Sequence, residues 1–224
     1  MNLAPARVPL QHHTIVVLGL MCLFALGAGA WALLKYSGTP GAVGEPPRHW
    51  PATSQIQRDP QHATLIMVAH PRCPCTRASL GELARLMAQC QGRLTAYVIL
   101  PIPAGAAGDW EQTDLWRSAR IIPGVTALCD PGSVQARSFG VETSGHTLLY
   151  DTRGRLIFSG GITESRGHEG DNAGHSAIVD LLVQGSADIS ASPVFGCPLF
   201  AAESAASNQI TLCKVPLIHS PATR

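Results

Sequence analysis

The chain has 224 residues, 46% of them apolar and only 14% charged, against roughly 25% charged in an average soluble protein, which excludes a disordered polyelectrolyte. Lys plus Arg is 16 and Asp plus Glu is 15, for a formal net charge of +1, and aromatic residues make up 5%. Neither a basic footprint nor a stacking surface for single strands follows, so no nucleic-acid partner is expected.

The apolar excess lies at the N-terminus. Ile15 to Leu34 reads IVVLGLMCLFALGAGAWALL without a charge, and Lys35 and Tyr36 follow. A bilayer core takes about 20 apolar residues in a helix, and a Lys–Tyr pair suits its boundary. Behind a short segment (1–14), residues 15–36 are expected to be a transmembrane anchor. The competing reading is a cleaved secretory signal ending at Ala28-Gly29-Ala30. The stretch is long for a signal core and stays apolar past that site, which favours the anchor. Both readings put the remainder outside the cytoplasm, and the cysteines fit an oxidising compartment. Residues 37–60, rich in Pro and Gly, read as a linker.

A folded domain is expected over 61–185. Ala63–Ala69 is an apolar run of strand length. Thr76–Gln89 has Leu80, Leu83, Ala84, Leu86 and Met87 at helical spacing. Leu94–Leu100 reads as a second strand, stopped by Pro101. Asp109 with Gln112 resembles a capping box for a helix to about Ile121. Val125–Leu128 is a third strand, and Asp130-Pro131 opens a short helix to Phe139. Thr147–Tyr150 and Leu156–Ser159 flank the turn Asp151–Gly154 as a hairpin. Asp171 or Asn172 caps a last helix over 175–183. Residues 186–224 form a C-terminal extension. Strands alternating with helices, then a hairpin and a helix, predict an α/β domain with a central mixed sheet flanked by helices.

The first strand runs into His70-Pro71-Arg72-Cys73-Pro74-Cys75-Thr76, and a helix follows. Unpaired N–H groups at a helix start favour an anion, so a thiolate there is stabilised. Pro74 suits the first helical position. Cys73 is then the exposed thiol at the cap and Cys75 the more buried partner. Arg72 and Arg77 add positive charge. A structural bridge between inert thiols is the ordinary alternative, and the strand-to-helix placement favours redox chemistry over it.

With these residues in place, the chain resembles the thioredoxin superfamily. The likeness covers roughly Ala63 to Val183. It rests on the strand–cysteine pair–helix unit, the element order, and the late hairpin Gly145-His146-Thr147…Gly154-Arg155-Leu156. With the anchor, the chain is similar to membrane-tethered extracytoplasmic thioredoxin-like proteins. Two departures stand out. The family pattern is Cys-x-x-Cys, whereas here Arg72 occupies the first cysteine position and the pair is Cys-Pro-Cys. His146 stands where the family has a cis-proline, and a trans bond is expected there. Cys75-Thr76 also resembles a peroxidatic Cys-Thr, but Arg72 stands where that family has Thr or Ser.

The resemblance implies a thiol–disulfide oxidoreductase. Cys73 attacks a partner disulfide and Cys75 resolves it, with Arg72, Pro74 and His146 in support. No cofactor is expected. Partners would be extracytoplasmic proteins with thiols or disulfides. The location implied is a bacterial inner membrane, crossed once, with the soluble domain in the periplasm. The alternative is a copper or other soft-metal delivery protein, using Cys73 and Cys75 with His146, His168 or His175. The polar loop Gly160–Gly174 is more simply a solvated loop. Cys197 could pair with Cys213, or, if it sat near Cys73, serve as a third redox thiol. Cys90 and Cys129 could form a bridge or remain buried thiols. Cys22 reads as an apolar filler of the anchor, and Trp110 and Trp116 as core.

Overall fold

The computed structural model describes residues 10–103, 110 and 113–200. It divides into two compact units, Met1–Thr39 and Pro40–Arg224. The first holds α1 (Leu10–Ser37). Its stretch His13–Ser37 is long and apolar enough to cross a membrane, since 25 residues at about 1.5 Å each exceed a hydrocarbon core of about 30 Å.

The second unit is built on β1 (Ala63–Val68), α2 (Cys75–Gln89), β2 (Leu94–Ile102), α3 (Asp114–Arg120), β3 (Val125–Pro131), α4 (Val134–Ser138), β4 (His146–Tyr150), β5 (Leu156–Gly160) and α5 (Ala173–Val183). The five strands form one mixed sheet in the order β3-β2-β1-β4-β5. β1, β2 and β3 run parallel, while β4 pairs antiparallel with both β1 and β5. β1 is therefore central, and its C-terminal end is covered on both sides by neighbouring strands. That is why Leu65–Val68 read as one apolar run: all four are fully buried.

The two sheet faces carry separate cores. Leu65, Met67 and Leu149 pack with α2 and α5 through Leu83, Leu86 and Ile178. Ile66, Val68, Leu148 and Tyr150 pack on the other face with Phe139 and Ile56. The sequence between the anchor and β1, expected to be a free linker, is laid along this second core. Trp50 meets Phe139 and Tyr150 edge-on, both at 5.2 Å. Glu45 and Trp50 donate backbone hydrogen bonds to Gly140 and Gly154, and the Tyr150 hydroxyl donates to the Pro47 carbonyl. Pro and Gly signalled an irregular path, and Trp50 and Ile56 supply the apolar surface that holds it down.

Several boundaries differ from expectation. β2 passes through Pro101, because beyond the Val68–Ile99 pair it has a neighbour only in β3, and a proline lacking an N–H is tolerated at such an edge. β3 absorbs Asp130 and Pro131, and α4 starts after Ser133. Asp130 still caps it from outside, accepting the N–H groups of Gln135 and Ala136 at 2.9 and 2.8 Å. α3 begins at Asp114, capped by Thr113, which accepts the Trp116 N–H; the capping box at Asp109 and Gln112 lies outside the described residues. Asn172 caps α5 as expected, through the His175 N–H.

The loop after β5 is tied down, not loosely solvated. Its anchor is Glu82 of α2, only 2% exposed. The carboxylate accepts from Arg85 and from the Gly170 amide, each at 2.7 Å, and His175 Nδ1 lies 3.2 Å from its other oxygen.

Candidate functional site

The turn between β1 and α2 sits at the C-terminal end of the central strand, where open α/β sheets place their ligands. Pro74 occupies the N-cap in helical conformation with φ −58, and α2 opens at Cys75. The first amides of the helix therefore surround the Cys73 sulfur. Ser144, in the segment before β4, ties this turn to the sheet. Its hydroxyl accepts the His70 N–H at 2.8 Å and lies 2.8 Å from the Thr76 hydroxyl.

A third thiol completes the site. Residues 197–199 pair backbone-to-backbone with 142–144: Ser144 N–H donates to the Cys197 carbonyl at 2.9 Å and Leu199 N–H to the Glu142 carbonyl at 2.8 Å. This strap brings Cys197 Sγ to 2.9 Å from Cys73 Sγ, across 124 residues of sequence. The approach depends on Gly196, where an added Cβ would fall 1.9 Å from the Ser144 carbonyl oxygen. The Sγ atoms of Cys73, Cys75 and Cys197 all lie within 4.8 Å of one another, the one such donor group among the described residues close enough to share a soft ion.

The strap also reverses the expected exposure. Cys73 is 1% exposed, while Cys75 and Cys197 are half-buried. The three thiols differ in acidity. Burial opposes ionisation of Cys73, but hydrogen bonds from the Cys197 thiol and amide and from the Thr76 and Cys75 amides outweigh it, and its pKa is lowered. Burial raises Cys75, and the neighbouring Cys73 thiolate raises it further, with Arg166 acting in the opposite direction. The same combination pushes Cys197 up to about 12. Cys73 is thus the sulfur favoured to carry the negative charge, through the Cys197 thiol first and then the Cys197, Thr76 and Cys75 amides.

The cation beside the thiols is Arg166, which sequence reasoning did not select. It comes from the loop held by Glu82, donates to the Gly196 carbonyl, and acts on both Cys75 and Cys197. Of the arginines expected to assist, Arg72 lies over the Trp110 ring at 4.4 Å and Arg77 is paired with Asp114. Trp110 stands edge-on to His70 at 5.8 Å, so it flanks the turn and is not core, whereas Trp116 does pack on the core.

The three histidines do not join the thiols. His146 lies on the same strand face as Leu148 and Tyr150, away from α2, and its Nε2 meets Ser159 Oγ at 2.9 Å; strand alternation separates it from the cysteines. His168 is exposed, and His175 faces Glu82 and Gln89. The peptide before His146 is not cis, as expected. Cys90 is buried and forms no disulfide, so the Cys90–Cys129 bridge is absent. Cys213 lies outside the described residues.

His146 carries a pH prediction. It is fully buried, and burial pushes its pKa down to about 4 from 6.5. The unfolded chain takes up that proton first, so the contribution is complete above pH 6.5 and is lost as pH falls toward 4, about 3 kcal/mol in all. Denaturant midpoints measured near neutrality and near the lower value should fall less in His146→Gln than in the wild type. Equal falls would contradict this.

The parallel β1–β2–β3 half, the antiparallel β4–β5 hairpin beside β1, and the cysteines at the β1–α2 junction fit one arrangement. The fold is thioredoxin-like. The chain superposes on a hypothetical protein from Sinorhizobium meliloti with a TM-score of 0.53 at 22% identity, covering 74% of this chain and 96% of that one. An uncharacterized conserved protein from Geobacillus kaustophilus gives a TM-score of 0.53 at 19% identity, covering 75% and 95%. The exposed lipoprotein thioredoxin of Streptococcus pneumoniae matches at a TM-score of 0.38 and 16% identity, over 55% of this chain and 85% of its own. At such identities the first two matches express likeness of fold alone. No family model matches the sequence, and no curated protein matches it.

Proposed function

We propose that the protein is a membrane-anchored thiol–disulfide oxidoreductase, acting through the Cys73-Pro74-Cys75 pair on extracytoplasmic protein thiols or disulfides. The observation that carries this reading is the gathering of three thiols within 4.8 Å of one another at the β1–α2 junction, where the Cys197 thiol first and then neighbouring amides lower the Cys73 pKa, because the thiolate is the nucleophile in disulfide exchange. α1 is long and apolar enough to serve as the anchor, which fits a bacterial inner membrane with the soluble unit in the periplasm. A partner disulfide would meet half-buried Cys75 and Cys197 first. Beside them opens a cleft of about 620 Å³ that Arg166, Gly196 and Pro198 help to line. For the soft-metal alternative, no imidazole among the described residues stands with the three sulfurs.

Thiolate stabilisation favours the reduced form, so the couple is expected to be more oxidising than thioredoxin, above about −270 mV. The test is reduction of insulin disulfides by the full-length protein in detergent, with its potential read against a glutathione buffer. Acceleration over background is expected. No acceleration, together with stoichiometric Cu(I) retention, would overturn the reading.

A further inference from the structure

We propose that Cys197, not Cys75, is the resolving thiol, so that the oxidised site carries a Cys73–Cys197 bond which locks the C-terminal strap onto the sheet. The assignment rests on the oxidoreductase reading above and specifies its second step.

Position is the first argument. Cys73 Sγ and Cys197 Sγ are 2.9 Å apart, and a bond of about 2.05 Å needs them to close by less than an ångström. The strap is held in register on both sides of the sulfur, by Ser144 and Leu199 through their backbones and by Arg166 on the Gly196 carbonyl. Cys75, by contrast, is two residues from Cys73 across a proline in helical conformation. The Cys75 sulfur also lies within 4.8 Å of Cys73 Sγ, but a bond between residues two apart closes a tight ring with little room for ordinary disulfide geometry. A Cys73–Cys75 bond would have to distort the first turn of α2, the turn whose amides support the thiolate.

Charge sets the order of events. While Cys73 is a thiolate, its charge helps hold Cys197 protonated. Cys73 attacks one sulfur of a partner disulfide. A Cys73–partner bond forms, the partner's own bond breaks, and its other sulfur leaves as a thiolate and takes a proton from water. The negative charge on Cys73 is then gone, while Arg166 remains beside Cys197. Cys197 now gives its proton to water and attacks Cys73 Sγ. The Cys73–Cys197 bond forms, the mixed bond breaks, and the second partner thiolate leaves and is protonated. Two electrons pass from the Cys73–Cys197 dithiol to the partner. Cys75 remains a thiol at the mouth of the site.

Full-length protein in detergent is oxidised with oxidised glutathione, its remaining thiols are alkylated, and disulfide-linked peptides are mapped by mass spectrometry. The expected map links Cys73 to Cys197 and finds Cys75 alkylated, and the Cys75→Ser variant retains that link. Cys197→Ser should lose about a hundredfold in insulin turnover and accumulate glutathione on Cys73. A Cys73–Cys75 bond with Cys197 alkylated, in a wild type that turns over insulin, would overturn the assignment and leave the oxidoreductase reading standing. A wild type whose three thiols neither exchange with glutathione nor turn over insulin would overturn both.

Discussion

Cys73→Ser in the full-length protein should lower insulin-disulfide turnover by about a thousandfold or more, the scale of removing a nucleophile. Serine keeps the size of the side chain and its place under the strap, but its hydroxyl stays protonated near neutrality. Burial raises both Cys75 and Cys197, so neither is expected to match Cys73 as the attacking thiolate. Cys22→Ser is the matched control, since Cys22 is exposed on α1 in the other unit and its loss should leave turnover unchanged. A Cys73→Ser variant within tenfold of the wild type would mean that another sulfur is the nucleophile.

Glu82→Ala should be the most destabilising single change near the site. Its carboxylate is buried in α2 yet serves residues 88 positions away, through the Gly170 amide. It also faces His175 and pairs with Arg85. Truncation leaves the part-buried Gly170 amide without its acceptor and removes the carboxylate that His175 and Arg85 face. Breaking a buried pair costs about 3–5 kcal/mol, and the half-exposed Arg85 places this case near the lower end. At about 2–4 °C per kcal/mol for a domain of this size, the thermal midpoint should fall by about 6–12 °C. Activity should fall as well, because the same loop delivers Arg166 to the thiols. A midpoint within about 2 °C of the wild type would show that the loop is held elsewhere.

Much of the frame was legible in the sequence because it is local. Ala63–Val68 announced itself as a doubly buried strand, α2 by its apolar spacing, and the β4–β5 turn by Gly154, which indeed has positive φ at +76. The dithiol was legible for the same reason, since both cysteines belong to one strand–helix junction. The rest of the site was hidden because it is assembled by tertiary pairing. Cys197 reaches Cys73 only after residues 197–199 pair with 142–144, and no periodicity encodes such a contact. Arg166 sits in a loop whose polar composition looked solvated; its order comes from one buried carboxylate on a distant helix. Tripeptide Phe195-Gly196-Cys197 held a usable signal, a glycine beside a cysteine, which marks a close backbone approach. The linker was misjudged for a related reason: Pro and Gly described its irregular backbone, while Trp50 and Ile56 decided where it rests.

The most direct measurement is the thiolate absorbance of the reduced full-length protein followed against pH, with the Cys73→Ser variant subtracted. Three sulfurs share one site, and the Cys197 thiol together with neighbouring amides favours the charge on Cys73. The difference curve should therefore rise with an apparent pKa below the ordinary cysteine value of about 8.5. A difference curve that rises at or above that value would show that the Cys197 thiol and the neighbouring amides do not hold an anion there, and the assignment of Cys73 as nucleophile would fall.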